Sequence, residues 1–415
     1  MKFSLFIFCF ISALNYAYAQ NRTIEVCAKD CEFSSVQKAI DQAQSGDSIF
    51  IQKGIYEEHN IFINKKSLHL YGEEGSVIDS EHKGYGFKVE ATDFSITDLT
   101  IKNIEVSYTS DYAAIYLFRC FDFKLKNITL RNAFFGFLIE KSRNGLVLQN
   151  DISGTGDSEA SSGNAIHLWD SEEIEVRDNH VYNMRDGIYI EFGSNNIFEN
   201  NDSHDNMRYG LHFMFSNDNR YSNNIFRNNS AGVAVMFSKR IVMNNNVFKK
   251  NWGTASYGLL LKEINDAEIY NNTFEDNTVG ITADGSTRIT YRENDFINNG
   301  YAVIFIGGSY ENNFMKNNFL YNNFDLSYSG GLNDNSFDNN FWSDYTGYDL
   351  DKDGYGDVPY RPVKLFSYLV NNTPESIILL RSLFIDIINF SEKVTPIFTP
   401  ENLTDQNPLM RKVQW

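Results

Sequence analysis

The sequence predicts an all-β protein folded as a right-handed parallel β-helix, a solenoid whose coils repeat every 22 or 23 residues. Three observations predict it. The segments NNIFRNN, NNVFKKN, NNTFEDN, ENDFINN and NNFLYNN are near-copies of one another. A column through Asn127, Asn150, Asn179, Asn201, Asn224, Asn246, Asn272, Asn294, Asn317 and Asn340 advances by 23, 29, 22, 23, 22, 26, 22, 23 and 23 residues. Soon after most of these asparagines a small residue opens an alternating run: GFLIE from Gly136, GIYIE from Gly187, GLHFM from Gly210, GVAVM from Gly232 and GITAD from Gly280. Alternation with period two is the signature of strands. In a parallel β-helix identical residues stack from coil to coil, so the Asn column should form an amide ladder. Phe226, Phe248, Phe274, Phe296 and Phe319 should form an aromatic stack in the core. The right hand follows from the general preference of parallel crossovers.

Along the chain, residues 1–19 read as a secretory signal: Lys2, an apolar run from Phe3 to Leu14, then Ala17-Tyr18-Ala19 as cleavage pattern. The run is too short to span a bilayer, so the chain is expected to be exported. Cys9 leaves with the signal. Cys27, Cys31 and Cys120 remain, and a Cys27–Cys31 bridge and two free thiols are both open. Ser34 or Ser35 can N-cap a helix that presents Val36, Ile40 and Ala43 on one face and closes at Gly46, forming an end cap. Residues 20–340 then form the capped solenoid. Its two long steps come from insertions around Gly154–Gly163 and Trp252–Ser256. Both fall between the Asn turn and the Gly-led strand, so they should line one side, which in solenoids is often the binding side. Residues 341–415 form an Asp-rich loop, a helix and a tail.

Asp349, Asp351, Asp353, Gly354 and Asp357 give the first half of a calcium loop, but Tyr360 stands where an EF-hand places its bidentate Glu. A structural calcium site and a cluster of Asx turns are both open. Thr373 and Pro374 mark a helix start, and Ile377 to Ile388 runs apolar on nearly every face. That helix, with Ile377, Leu380, Phe384 and Ile388, is expected to close the last coil and to dock a partner, leaving the Thr395–Trp415 tail free to dock as well. The net charge of -18 repels phosphate backbones and disfavours nucleic acid.

The stretches RYGLHFMFSNDN (Arg208–Asn219), AGVAVMFSK (Ala231–Lys239), YGLLLKEI (Tyr257–Ile264) and FWSDYTGYDLDKDGYGDVPYRPVKLFSY (Phe341–Tyr368) resemble the NosD family, exported β-helix proteins of nitrous oxide reductase maturation. The resemblance implies a non-enzymatic periplasmic protein that assists copper or sulfur delivery to the reductase's copper–sulfur centre. It implies as partners an ABC transporter permease, the reductase and a copper chaperone. It also makes the permease the partner expected at the C-terminal helix.

Alternation points two columns of the Gly-led strands outward: Leu138, His167, Tyr189, His212, Ala234, Leu260 and Thr282, then Glu140, Trp169, Glu191, Met214, Met236, Lys262 and Asp284. Met214 and Met236 should stack on successive rungs, with His212 on the same face. Thioether and imidazole suit copper, particularly Cu(I), so His212, Met214 and Met236 are the expected transient copper ligands. His167, Trp169, Tyr189 and Glu191 complete a binding stripe. The alternative is a carbohydrate-binding or carbohydrate-processing β-helix, with Trp169 and Tyr189 stacking on sugar rings. Glu140, Glu191 and Asp284 lie two or more rungs apart, which disfavours a glycosidase pair. His59, His69, His82, His180 and His204 read as isolated turn or surface residues.

Overall fold

The computed structural model describes residues 22–414 apart from segments at 156–157, 330–333, 365, 367–368, 371–372, 380–381 and 395–402; the expected signal lies outside them. Each coil contributes one strand to each of three parallel sheets, of 14, 13 and 12 strands in the order the chain visits them. Pairing is in register from coil to coil. On the 12-stranded sheet Ile188, Leu211, Val233, Leu259, Ile281 and Val303 form one inward column, each fully buried. Inside the 13-stranded sheet Phe226, Phe248, Phe274, Phe296 and Phe319 stack with centroids 4.6–5.6 Å apart, and Trp342 ends the stack at 4.0 Å.

The paired asparagines have separate duties. The first of each pair, as at Asn200, Asn223, Asn245 and Asn271, takes a left-handed backbone with φ of 55–57°, which Asn tolerates better than most residues. The second is buried and joins the ladder. From Asn150 to Asn340 each Nδ2 donates to the Oδ1 of the next rung at 2.8–3.0 Å. Asn127 is not a member of this column. It is exposed in the left-handed position with φ 51°, and the buried Ile128 holds the ladder slot, its N–H donating to Asn150 Oδ1 at 2.9 Å. A second ladder runs at the next turn through Asn206, Asn229, Asn251, Asn277, Asn299 and Asn322, each Oδ1 accepting the preceding rung's backbone N–H at 3.0–3.2 Å. The small residue opening the Gly-led strands reflects close backbone approach: a Cβ on Gly232 would sit 2.3 Å from the Gly258 carbonyl oxygen.

The expected front cap is present as α1 (Val36–Gln42). Ser35 Oγ accepts from Lys38 N–H, and Val36, Ala39 and Ile40 are buried. The helix stops four residues short of Gly46, which turns with φ 93°. Cys27 and Cys31 form a disulfide, and Cys120 is a buried free thiol. Burial pushes the Cys120 thiol up to about 11.

The far end departs from expectation. One continuous helix from Pro374 is replaced by a 3₁₀ turn (Pro374–Leu379) and a separate α2 (Leu383–Val394). Ser382 restarts the chain, its Oγ accepting from Ile385 N–H at 3.4 Å and its carbonyl from Asp386 N–H at 3.2 Å. The helix covers the last strand of the 12-stranded sheet (Phe324–Ser329), seating Ile385 and Ile388 against Phe324, Phe366 and Val370. The ends of the 14- and 13-stranded sheets are closed by the segment expected to be free. Asp405 Oδ2 accepts from Asn340 N–H (3.0 Å), Asn340 Nδ2 (3.1 Å) and Trp342 Nε1 (3.0 Å), taking the place of the ladder's next amide. Phe337 and Phe341 bridge to Asp405 and Leu409. The last rung leaves buried donors facing outward, and an anionic acceptor satisfies them.

Candidate metal-binding cleft

The insertions at 154–163 and 252–256 both leave the turn between the 13- and 12-stranded sheets, as does a third, 103–112. Beside them the 12-stranded sheet carries a cleft of about 590 Å³ lined by Asp111, Leu138, Glu140, Asn164, His167, Trp169, Arg185, Tyr189, Glu191, Arg208, His212 and Met214. The stripe expected from alternation is therefore gathered in one place. Leu138, His167, Tyr189 and His212 are register partners in one column, with Glu140, Trp169, Glu191 and Met214 in the other. Met236 is the register partner of Met214 on the following rung and is not part of the lining. Lys262 and Asp284 lie further along the same column, also beyond the lining.

The imidazoles and phenol of the first column interleave edge to face. His167 meets Tyr189 with centroids 4.6 Å apart, and Tyr189 meets His212 at 5.0 Å. Tyr189 Oη donates to Glu191 Oε2 at 3.2 Å; burial first, and Glu191 second, push its phenol up to about 12. Burial, reinforced by the Arg185 cation, pushes His167 down to about 3, so this ring is neutral throughout the physiological range. Asn164 Nδ2 stands 3.4 Å from His167 Nδ1, while Asn164 Oδ1 accepts from Arg185 at 3.2 Å. That arrangement assigns the proton to His167 Nε2, a buried atom without a protein partner.

Beneath the column lies a pair that the sequence reading missed. Asp186 is fully buried and accepts from Arg208 Nε at 2.8 Å and Nη2 at 2.5 Å. Burial opposes the charge, but the Arg208 hydrogen bonds and charge outweigh it and hold the Asp186 carboxyl below its usual range. His212 Nδ1 stands 3.8 Å from Asp186 Oδ2, too far for a hydrogen bond and near enough for the carboxylate to favour a proton on Nδ1. His212 Nε2 is then a lone pair, buried and unpartnered. The available signal was register: Asp186 opens the strand one rung before Tyr209, placing Arg208 beside it.

The arrangement offers one imidazole lone pair and one thioether on a single strand, a second thioether one rung on, an N–H donor from His167, and carboxylates at the rim. An unpartnered imidazole nitrogen beside thioethers fits a soft monovalent copper ion better than a hard cation.

The remaining expectations fall elsewhere. Asp349, Asp351 and Asp353 bring carboxylate oxygens within 4.8 Å of one another. Asp349 accepts backbone N–H groups from Lys352, Asp353 and Gly354, Asp353 accepts from Tyr355, and Asp357 from Leu350, which is Asx-turn geometry. Ile377 and Phe384 are exposed, Ile388 packs inward, and Leu380 lies outside the described residues. His180 and His204, expected to be isolated, are in contact on the 13-stranded sheet. Also unforeseen are Phe192, Phe215 and Phe237, which stack at 5.4 and 5.1 Å just past Glu191, Met214 and Met236.

Residues 148–347 match the family model described as periplasmic copper-binding protein (NosD). A probable ABC transporter binding protein NosD of Pseudomonas aeruginosa is 38% identical over 72 residues, 17% of each chain. Its namesake in Stutzerimonas stutzeri is 32% identical over 72 residues, 17% of this chain and 16% of that one. These alignments thus span about a sixth of the curated relatives' length. Among solved structures, the mannuronan C-5 epimerase A-module of Azotobacter vinelandii superposes with a TM-score of 0.59 at 15% identity, covering 72% of this chain and 93% of that one. A PL6 alginate lyase gives 0.57 at 12% identity, covering 78% and 85%. At these identities the two share the fold alone. Residues 148–347, which match the NosD family model, carry most of the cleft lining.

Proposed function

We propose that this protein is an exported, non-catalytic accessory factor of nitrous oxide reductase maturation that holds Cu(I) transiently in the cleft. His212 Nε2 and Met214 Sδ are the principal ligands, with Met236 joining from the next rung. The observation that carries this reading is the unpartnered, buried His212 Nε2 beside a thioether, with Asp186 favouring a proton on the opposite nitrogen. The family description supports copper and the periplasm, and the relatives' names support an ABC transporter as partner. In this scheme a copper chaperone loads the cleft, the transporter permease couples to the protein, and the reductase receives the cargo. The exposed face of α2, where Phe384 and Ile387 are more than half exposed, is the candidate permease contact. Truncation at Tyr368 would remove Asp405 along with α2, so Phe384→Glu is the change that isolates the contact; retained co-purification with the permease would reject it.

The test of the copper reading is a competition titration of Cu(I) against a chromophoric chelator. His212→Ala combined with Met214→Ala should weaken Cu(I) binding by roughly 100-fold or more, since even outer-shell partners are worth 10–100-fold. Unchanged affinity overturns the proposal. A second reading, carbohydrate binding, is favoured by Trp169 and Tyr189 standing together in the cleft with Glu140 and Glu191. Glycan-array binding that survives the double substitution, with no copper response, would select it.

A further inference from the structure

On the 13-stranded sheet, away from the cleft, His180 and Asp202 are register partners on adjacent rungs, as are Tyr182 and His204. His204 follows Asp202 by two residues, so all three side chains share the outer face and His204 reaches diagonally toward His180. Their Nε2 atoms stand 2.7 Å apart. One ligand atom from each of His180, Asp202 and His204 lies within 4.8 Å of the others.

Both rings and the carboxylate are already held by neighbouring side chains. His204 Nδ1 is 2.5 Å from Asp205 Oδ2, and His180 Nδ1 is 3.4 Å from Asp151 Oδ2. Arg131 holds Asp151 at 2.6 Å, and Arg227 holds Asp202 through two bonds of 3.1 and 2.8 Å. Tyr182 stacks flat on His204 with centroids 5.3 Å apart. A carboxylate on each Nδ1 assigns the imidazole proton to that atom in both rings, which is the arrangement of metal-bound histidines. Both Nε2 atoms then present lone pairs to each other at 2.7 Å. Two facing lone pairs repel unless a cation lies between them, and the adjacent Asp202 carboxylate adds to the demand.

We infer that His180, His204 and Asp202 form a second metal site for a borderline divalent ion of the Zn²⁺ or Cu²⁺ type. Two imidazoles and one carboxylate suit such ions, whereas Cu(I) favours sulfur and Ca²⁺ favours oxygen alone. Ligands at about 2.0–2.1 Å in tetrahedral geometry stand about 3.3 Å apart, so the rings need to open by about 0.6 Å, within reach of small χ adjustments. Three protein ligands leave the fourth position for water or a partner's side chain. The site shares no residue with the cleft and stands or falls apart from it.

The experiment is equilibrium dialysis of tag-free, chelator-stripped protein against Zn²⁺, and separately Cu²⁺, with metal counted by atomic emission. One ion per chain should bind and be lost in His180→Gln/His204→Gln, while His212→Ala/Met214→Ala retains it. X-ray absorption on the zinc-loaded unsubstituted protein should show two imidazole shells at about 2.0–2.1 Å, a reading independent of whether the substituted chain folds. Unaltered stoichiometry in the histidine variant overturns the inference. So does an unsubstituted protein whose ¹⁵N histidine spectra show a single proton shared between the two Nε2 atoms and no response to zinc.

Discussion

Replacing Arg208 by Met keeps an unbranched apolar stem and removes the charge that holds Asp186. The Asp186 carboxylate is completely buried and Arg208 supplies both of its short hydrogen bonds, while the Arg208 side chain itself is 36% exposed. Breaking a buried pair by removing one partner costs about 3–5 kcal/mol. Because the guanidinium is partly in water, the lower end, about 3 kcal/mol, is the expected loss at pH 7.5. The pH dependence supplies the sign. With Arg208 present the Asp186 pKa is lowered from 3.8, so its stabilisation is in place above that value and fades on further acidification. Without Arg208, burial alone raises the carboxyl's pKa, so the penalty is full at neutral pH and is relieved as pH falls towards 4. Urea unfolding followed by far-UV circular dichroism at pH 7.5 and 4.5 measures both. Asp186→Asn in the Arg208→Met background should recover at least half of the loss at pH 7.5. A single variant within about 1 kcal/mol of the parent, or a double variant no better than the single, would refute the assignment of this pair as the floor of the cleft.

Two further predictions concern the ladder and the cleft imidazole. Asn246→Ala deletes bonds from Asn224 N–H and Nδ2 and to Asn272 Oδ1 and the Tyr221 carbonyl, all buried; it should cost about 3–5 kcal/mol, whereas exposed Asn127→Ala should cost about 1 kcal/mol or less in the same urea assay. His167 is neutral when folded and ionisable near 6.5 when unfolded, so its contribution is intact above 6.5 and is lost as pH falls toward 3. At pH 5 the loss is about 2 kcal/mol, and His167→Gln should show correspondingly less destabilisation between pH 7.5 and 5.

Much of the solenoid was legible because its period lies along the chain, where sequence displays it directly. Asn127 was assigned to the wrong slot because the left-handed residue and the ladder residue are both commonly Asn; only the buried Ile128 beside Asn150 separates them. The stripe from His167 to Met214 was readable from strand alternation alone. Asp186 and Arg208 were not, since their bond crosses between rungs and each residue by itself looks like a turn charge. His180 and His204 are 24 residues apart, off the 22-residue step that joins His180 to Asp202. A reading by columns passes over such a diagonal contact. The tail was misjudged for a different reason: Asp405 matters only because a ladder of amides ends at Asn340 with donors to satisfy.

The rigid rise of the solenoid also limits which residues can share an ion. Successive rungs are about 4.8 Å apart, so side chains two rungs apart start about 9.6 Å from each other. His167 and His212 are separated in this way, with the Tyr189 ring wedged between them. They cannot close on one metal without disrupting the sheet, and His167 in any case turns an N–H, not a lone pair, toward its unpartnered side. In the proposed scheme copper held at His212 and Met214 would instead pass to Met236, one rung away in register. Exposed Phe215 and half-buried Phe237 flank that step. The fold therefore favours a short path along the sheet away from His167, with few ligands at each position. Such a path suits temporary custody of an ion better than its permanent storage.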